Sequence, residues 1–395
     1  MSLIYDPYSR PFQEDPYPLY KQLRDEQPCA YNPDMDFYAL FRFEDVWQAT
    51  LDWETMSSSL GPTLENRGEI PGELMSIIGM DPPRHTKLRN IVSRGFTPRR
   101  IAALEEEIRD IARGYLDALT TLSEFDFEQE FAVKFPMDVI SVLLGIPKED
   151  RDRYRLWVDR GLERDPDGKV TSDSIKGIGE SRQYVNDLIK ERRKNPRDDL
   201  ITVLAEAEYE DVDGAKRTLT DEECGSFTTL LAAAGAETTA KLLGHAVYLL
   251  GSHKDQRKAL FGDSGLMSNA LEEILRYEAP SQFQGRVALK ESEWHGVTIP
   301  SGARVALVTG AACRDEREYE APDSFDIRRV QDREIYFGHG HHVCIGKSLA
   351  RLETRIALEE IAARFPDYEV IESGITRTYQ AHVKGYVNLP ISTGN

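Results

Sequence analysis

The apolar residues of this chain recur mostly at three- and four-residue spacing, which is the spacing of helices that bury one face. Helices are predicted near 98–121, 127–145, 171–193, 220–252, 265–278 and 344–364. Shorter runs with strand character are predicted at 37–43, 296–308 and 385–391. Helices in the middle of the chain, with small sheets at its margins, predict a mostly α fold of the α+β type.

Two long stretches, 56–80 and 321–346, carry neither period and are predicted to be connections. Loops of that length inside a compact domain usually serve function. No long linker and no internal repeat divides the 395 residues, so we expect residues 1–395 to form a single domain.

The composition excludes several classes of protein. With 49 basic and 68 acidic residues the net charge is −19, which makes nucleic acid an unsuitable partner. The first residues lack the pattern of a signal peptide, and no window is apolar enough to span a bilayer, so we expect a cytoplasmic monomer without a membrane anchor. The four cysteines are far apart, which argues against a disulfide framework or a zinc ribbon.

One segment breaks the acidity of the chain. Residues 82–104 contain no Asp or Glu but hold six basic residues. Such a basic face predicts docking of an anionic partner, although a charge run is more commonly a solvated helix surface.

The stretch "YFGHGHHVCIG" (336–346) concentrates candidate metal ligands. Its glycines permit positive φ and a close approach of the backbone to a flat ligand, and a helix is predicted to begin at or just after Cys344. The free N–H groups of that helix end would favour the thiolate. One thiolate on such a loop suits haem iron, whereas a zinc site built from His339, His341, His342 and Cys344 has unsuitable spacing for a tetrahedral ion.

"FGHGHHVCIG" (337–346) resembles the haem-binding loop of the cytochrome P450 superfamily. Three further segments are similar to motifs of that family: "AGAETT" (234–239), "EILR" (273–276) and "DPPRHTKLR" (81–89). The resemblance covers nearly the whole chain, and the N-terminus is similar to that of the soluble bacterial type. It implies the single-domain cytochrome P450 fold, with a helix-rich core and small marginal sheets.

The resemblance implies a haem b cofactor with Cys344 as the axial iron ligand. It implies that Ala234, Phe337, Gly338 and Gly346 border the haem. The implied partners of the haem propionates are His85, Arg89, Arg286 and His342. His85 and Arg89 are four residues apart and thus on one helix face, as two donors to one anion would require.

The helix at 220–252 carries Glu237 and Thr238 in an almost wholly apolar span. A buried carboxylate needs a partner, access to water or a task. Thr238 has the right spacing to donate its hydroxyl to the carbonyl of Ala234, and in an arbitrary core helix that would be its whole role. The resemblance implies more: Thr238 orders the water that donates a proton to bound O2, and Glu237 links it to bulk protons.

Glu273 and Arg276 are one helical turn apart and would form an ordinary intrahelical ion pair. The resemblance implies a buried, structural pair completed by an arginine that precedes the haem loop. Arg329 is preferred over Arg328 for that place, although "QDREIYFG" departs from the usual family sequence.

The substrate pocket is predicted to be apolar, with Phe227, Leu230 and Leu231 in its wall together with the 56–80 loop, 281–284 and 380–383. Gln282, Gln284 and His382 are candidate polar contacts. Electrons are expected from NAD(P)H through a separate reductase and ferredoxin. The predicted ferredoxin face comprises Arg84, Lys87, Arg94, Arg99, Arg100, Lys347 and Arg351.

The predicted function is insertion of one oxygen atom from O2 into a medium-sized hydrophobic molecule such as a steroid, terpenoid, polyketide or fatty acid. One alternative keeps the haem without oxygen insertion from O2, as an isomerase, dehydratase or peroxygenase. The other is a zinc protein that uses the histidine cluster, including one without catalytic activity.

Overall fold

Helices form most of the computed structural model, which describes residues 3–64, 76–162 and 171–394. The predicted mostly helical fold is confirmed. The α-helices are α1 (Arg10–Glu14), α2 (Tyr17–Glu26), α3 (Phe43–Leu51), α4 (Arg84–Ser93), α5 (Pro98–Ala103), α6 (Glu105–Leu119), α7 (Phe135–Leu144), α8 (Arg151–Leu162), α9 (Ser172–Lys194), α10 (Leu200–Glu206), α11 (Asp221–Ser252), α12 (Lys254–Gly262), α13 (Met267–Tyr277), α14 (Thr309–Ala312) and α15 (Lys347–Arg364).

The strands are short and form small sheets at the edge of the helical core. They are β1 (Cys29–Asn32), β2 (Phe37–Leu40), β3 (Met56–Ser57), β4 (Glu124–Asp126), β5 (Glu208–Glu210), β6 (Lys216–Thr218), β7 (Gln284–Ala288), β8 (Ser292–Trp294), β9 (Val297–Ile299), β10 (Arg304–Leu307), β11 (Glu369–Val370), β12 (Thr376–Arg377), β13 (Tyr386–Asn388) and β14 (Pro390–Ser392). The largest sheet has the order β1-β2-β10-β7-β3.

Helix α11 crosses the centre of the molecule and packs against α7, α9, α13 and α15. Its start is fixed by a capping box, in which the Thr220 hydroxyl accepts from the Glu223 N–H and the Glu223 carboxylate accepts from the Thr220 N–H. At 32 residues it is about 48 Å long, which carries its middle into the core. No helix in the described part of the chain is both long and apolar enough to cross a membrane.

Strand β7 sets the direction of two side chains that matter below. It pairs antiparallel with β10, with Gln284 opposite Leu307 and Arg286 opposite Val305. Because side chains alternate along a strand, Gln284 and Arg286 lie on the same face.

Three predicted helix boundaries are wrong. Segment 98–121 is two helices, because α5 ends at Ala103 and the acidic residues Glu105–Glu107 after Leu104 favour a new helix start. Segment 127–145 is a π-helical stretch (Glu128–Ala132) followed by α7, in whose first turn Pro136 lies. Helix α15 begins at Lys347, three residues beyond Cys344.

Candidate active site

One cavity of about 290 Å³ lies between the middle of α11, β7 and the loop before α15. Apolar side chains such as Ile140, Leu230, Leu231 and Leu275 form much of its wall. The residues that sequence reasoning assigned to the cofactor, together with Thr238, line this same cavity: His85, Arg89, Ala234, Arg286, Phe337, Gly338, His342, Cys344 and Gly346. Residues up to about 260 positions apart in sequence therefore meet at one place.

The loop before α15 turns the Cys344 side chain into the cavity. Gly338 and Gly340 have φ of +71° and +66°, a conformation that favours glycine. A Cβ on Gly340 would lie only 3.1 Å from the carbonyl oxygen of Thr50, so α3 packs tightly on the loop. The Cys344 N–H donates to the Phe337 carbonyl at 2.8 Å, which closes the loop and leaves the sulfur exposed to the cavity.

The sulfur lies in a position that does not itself favour ionisation. Burial within the fold raises the pKa of the Cys344 thiol, and the Gly346 N–H with the cations Arg89, Lys347 and Arg351 only partly offsets it. The expectation that the helix end favours the thiolate is met only in part, because a single N–H, that of Gly346 at the N-cap of α15, opposes the effect of burial. A metal cation bound to the sulfur would supply the missing stabilisation of the thiolate.

Hydrogen-bond donors converge at one end of the cavity. His85 is 1% exposed, and neither of its ring nitrogens has a hydrogen-bond partner among the described residues. The Arg286 guanidinium is 5% exposed and donates to the carbonyl of its own neighbour Gly285. Arg89 donates to the Val343 carbonyl beside the cysteine. Buried donors without partners are costly, so this set fits an anionic ligand such as the two propionates of a haem.

The two histidines of this end are neutral. Burial, with help from Arg89, lowers the pKa of His85 to about 4, and burial with Arg286 lowers that of His342 to about 3. The His342 Nε2 lies 3.0 Å from the Met80 carbonyl, which can only accept, so this nitrogen carries the single proton. The His342 Nε2–H is thus already used by the Met80 carbonyl, and His85, Arg89 and Arg286 are the donors at this end that face an incoming anion.

The three loop histidines face different neighbours. The His339 ring stacks on Trp47 with a centroid distance of 3.5 Å, and His341 meets the edge of Trp53 at 6.4 Å. His342 bonds Met80 as described, and the rings of His341 and His342 nevertheless share His85 as a neighbour, with centroid distances of 6.5 and 4.2 Å. In the described part of the chain no group of three or more His, Cys, Asp or Glu side chains is placed to hold a metal ion.

Across the cavity from this loop, the Thr238 hydroxyl donates to the Ala234 carbonyl at 2.8 Å. Both residues line the cavity, and α11 continues through them without a break. Glu237 is half-buried and lies outside the cavity wall. The carboxylate thus retains access to water, which reduces the desolvation free energy of placing a charge in an apolar helix.

Glu273 and Arg276 are fully buried and joined by two hydrogen bonds, of 2.7 and 2.8 Å. Arg329 Nε lies 3.1 Å from Glu273, whereas Arg328 is bonded through its backbone. Arg276 also donates to the carbonyls of Cys313 and Pro322. The cluster ties α13 to the segment that leads into the cysteine loop.

Most of the predicted basic docking face is internally paired. Arg84 pairs with Glu223, Arg100 with Asp198 and Lys347 with Glu334, while Arg351 binds Glu272 through two nitrogens. Lys87 donates to the Asp211 carbonyl. Of the seven predicted residues, Arg94 and Arg99 are exposed and make no ion pair with any described residue.

Parts of the predicted pocket lie elsewhere. Phe227 is buried away from the cavity, as is Gln282, which accepts from Tyr20 and donates to Ala279. The turn at 380–383, with His382, does not line the cavity either. Of the predicted 56–80 loop, residues 65–75 lie outside the described part of the chain, and Ile77 and Ile78 do line the cavity.

Sequence reasoning missed Glu353, which lines the cavity from α15 while only 2% exposed. Within the part of the chain that the structure describes, its Oε2 has no hydrogen-bond partner, and burial raises the pKa of this carboxyl well above its usual value. The sequence does contain a signal for the burial of Glu353, because Leu349, Glu353 and Ala357 are four residues apart and thus lie on the same, buried face of α15.

Comparison with known proteins agrees with this geometry. Residues 171–370 match the family model described as Cytochrome P450. The vitamin D(3) 25-hydroxylase of Pseudonocardia autotrophica is 37% identical over an alignment of 398 residues that covers 99% of this chain and 96% of that protein. Cytochrome P450 CYP109Q5 from Chondromyces apiculatus superposes with a TM-score of 0.90 at 34% identity, covering 99% of this chain and 98% of that one.

A further solved structure, CYP109E1 from Bacillus megaterium in complex with corticosterone, superposes with a TM-score of 0.87 at 29% identity, covering 98% of this chain and 100% of that one. The family uses haem iron, O2 and electrons from redox partners. With a cysteine loop, an alcohol-bearing helix and a cluster of buried donors around one cavity, this chain belongs to the cytochrome P450 superfamily and is a bacterial-type haem monooxygenase of a single helix-rich domain.

Proposed function

We propose that this chain inserts one oxygen atom of O2 into a C–H or C=C bond of a medium-sized hydrophobic molecule held in the cavity with a haem b, while two electrons and two protons reduce the other atom to water. The observation that carries the proposal is that the Cys344 sulfur and the Thr238 hydroxyl belong to one largely apolar cavity. A bound haem supplies iron that binds and activates O2.

In this proposal, Cys344 is the axial ligand, and Phe337, Gly338, Gly346 and Ala234 border the haem. His85, Arg89 and Arg286 hold the propionates, with His342 packed against His85 at a ring distance of 4.2 Å. Thr238 positions a water in the cavity, and its bond to Ala234 fixes the hydroxyl for that task. Glu237, half-exposed next to it, passes protons from solvent. Glu273, Arg276 and Arg329 maintain the loop.

Steroids, terpenoids, polyketides and fatty acids are the proposed substrate classes. The relatives support a steroid-like substrate most directly, because one is named a vitamin D(3) hydroxylase and another was solved with corticosterone. The wall of Ile, Leu and Pro side chains suits such a skeleton, since apolar surface drives its binding.

Electrons are proposed to come from NAD(P)H through a ferredoxin reductase and an acidic ferredoxin in the cytoplasm. Arg94 and Arg99 carry this part of the proposal because their charges are not neutralised within the described chain. The paired residues of the predicted face, such as Lys347 and Arg351, would contribute less.

The proposed reaction is tested with the purified haem protein. Reduced protein under carbon monoxide should show the strongly red-shifted Soret band of thiolate ligation, and product formed under ¹⁸O2 should carry one labelled atom. Label-free product would favour an isomerase or dehydratase, product formed only with hydrogen peroxide would favour a peroxygenase, and a colourless zinc-containing preparation would exclude haem chemistry.

A further inference from the structure

Two polar side chains form a pair in the wall of the cavity. The Gln284 side-chain nitrogen donates to the Ser281 hydroxyl oxygen at 2.7 Å. Both residues are half-buried, and both line the cavity beside Pro280 and Leu307. Neither side chain is required for a turn or a helix cap, so the pair calls for another explanation.

Strand β7 fixes where this pair points. Gln284 and Arg286 share one strand face, and two residues along a strand cover about 7 Å. Gln284 therefore lies about that far along the wall from the guanidinium assigned to the haem propionates. The backbone of Gly285 between them is held by pairing with Ala306 of β10 and by a hydrogen bond from its N–H to the Pro62 carbonyl at 2.6 Å. The direction of Gln284 into the cavity is thus held by the backbone.

The pair offers a defined set of hydrogen-bonding atoms. One N–H of the Gln284 amide is used by Ser281, and its carbonyl oxygen accepts no hydrogen bond from any described residue. The Ser281 oxygen accepts from Gln284, and its hydrogen is left to donate. An acceptor next to a donor matches a hydroxyl group, which can donate to one and accept from the other.

We propose that Ser281 and Gln284 bind a hydroxyl group of the substrate and so determine which end of an elongated apolar molecule faces Thr238 and Cys344. This rests on the proposed function, because it places a substrate in the cavity. Apolar walls hold a hydrocarbon skeleton without fixing its direction, whereas one polar contact in a largely apolar cavity distinguishes its two ends. The substrate class is therefore an apolar molecule with a hydroxyl remote from the carbon that is oxidised.

The test measures substrate-induced spin-state shifts of the haem protein with two pairs of probes that differ in one hydroxyl. The pairs are testosterone with androst-4-en-3-one, and 1-dodecanol with dodecane. The wild-type protein should bind the hydroxylated member of at least one pair about tenfold more tightly, as expected for one hydrogen bond made in a dry site. Gln284→Leu should abolish this preference, and Ser281→Ala should reduce it.

Gln183→Leu is the matched control, since Gln183 is exposed on α9 and outside the cavity, and it should bind all probes as the wild type does. The inference is overturned if the wild type shows no preference in either pair, or if the preference survives Gln284→Leu. Should Gln284→Leu fail to fold, an unchanged preference in Ser281→Ala overturns it equally. A normal carbon monoxide spectrum and ¹⁸O incorporation alongside such results would leave the proposed function intact.

Discussion

The Thr238 hydroxyl donates to the carbonyl of Ala234, four residues earlier on α11, at 2.8 Å, and the two residues face the cavity that holds Cys344. If this hydrogen bond only satisfied the threonine hydroxyl within the helix, the residue could equally lie on a face of α11 that is packed against another helix. Here the hydroxyl oxygen is left on the cavity side, where it can accept from water or ligand.

Thr238→Ala should retain haem and substrate binding but should convert much less of the consumed reductant into product. The cause is loss of the hydroxyl that orders a proton-donating water, and general acid catalysis of this kind contributes about a hundredfold or more. Product and hydrogen peroxide, each measured per NAD(P)H consumed, check this. Thr238→Ser keeps the hydroxyl and should stay close to wild type. Unchanged coupling in the alanine variant would contradict the role and favour a reaction without O2.

Glu273→Gln should destabilise the protein by about 3 kcal/mol and lower its haem content. Removing the carboxylate leaves Arg276 and Arg329 without their shared counter-charge in a buried site. The thermal midpoint and the ratio of haem to protein after purification measure both effects. The exposed Glu372→Gln is the matched control and should change neither. A stable Glu273→Gln protein with full haem content would show that the cluster is dispensable.

The double variant Arg94→Glu/Arg99→Glu should slow reduction by an acidic ferredoxin. These are the exposed cations of the predicted face that lack an ion pair among the described residues, so charge reversal removes an attraction that no described carboxylate neutralises. Stopped-flow reduction rates at low salt should fall by about tenfold, and their dependence on ionic strength should flatten.

The double variant Lys148→Glu/Lys258→Glu, at exposed positions on the turn between α7 and α8 and on α12, makes the same change in net charge and should be reduced at the wild-type rate. If both variants slow equally, the effect belongs to overall charge and the docking site lies elsewhere.

His245→Phe should flatten the dependence of stability on pH. Burial lowers the pKa of His245 to about 4, in an environment that also contains Glu278, Lys384 and Arg377. An unfolded histidine has a pKa near 6.5, so between pH 6.5 and 4 the unfolded chain binds more protons and stability falls as the pH falls. At pH 5 this one group costs about 2 kcal/mol relative to neutral pH.

The measurement is the free energy of unfolding at pH 7.5 and pH 5. The phenylalanine variant loses the Nδ1 bond to the Glu278 carbonyl and should be less stable at pH 7.5, yet its loss of stability on acidification should be smaller. An equal loss in both proteins would mean that His245 titrates normally.

The sequence predicted the long helices well, because caps and apolar periods are local signals. The Thr220 capping box and the run of apolar residues after it place α11 within one residue of the prediction. The break at Leu104 is not visible in the same way, since both flanking segments have helical character and tertiary packing decides the angle between them.

The site was predicted only where short motifs specify it. The motif at 337–346 is recognisable from its own sequence, so its functional residues could be predicted. The position of Glu353 in the cavity and the stacking of Trp47 on His339 depend on how elements far apart in sequence pack together. The fate of Gln282 illustrates this limit. Gln282 is two residues from Gln284, and in a regular strand the two side chains would share a face. The segment before β7 is irregular, so the Gln282 amide bonds Tyr20 while Gln284 faces the cavity.

The contact between α3 and the cysteine loop has a consequence for how the protein is made. Trp47 stacks on His339, and Gly340 packs on the backbone of Thr50, so the loop rests on a helix synthesised nearly three hundred residues earlier. Contacts of such high sequence separation form late, because chain entropy must be lost before they are made. On the ribosome, α3 therefore has to wait for almost the entire chain to emerge before the cysteine loop reaches its final shape.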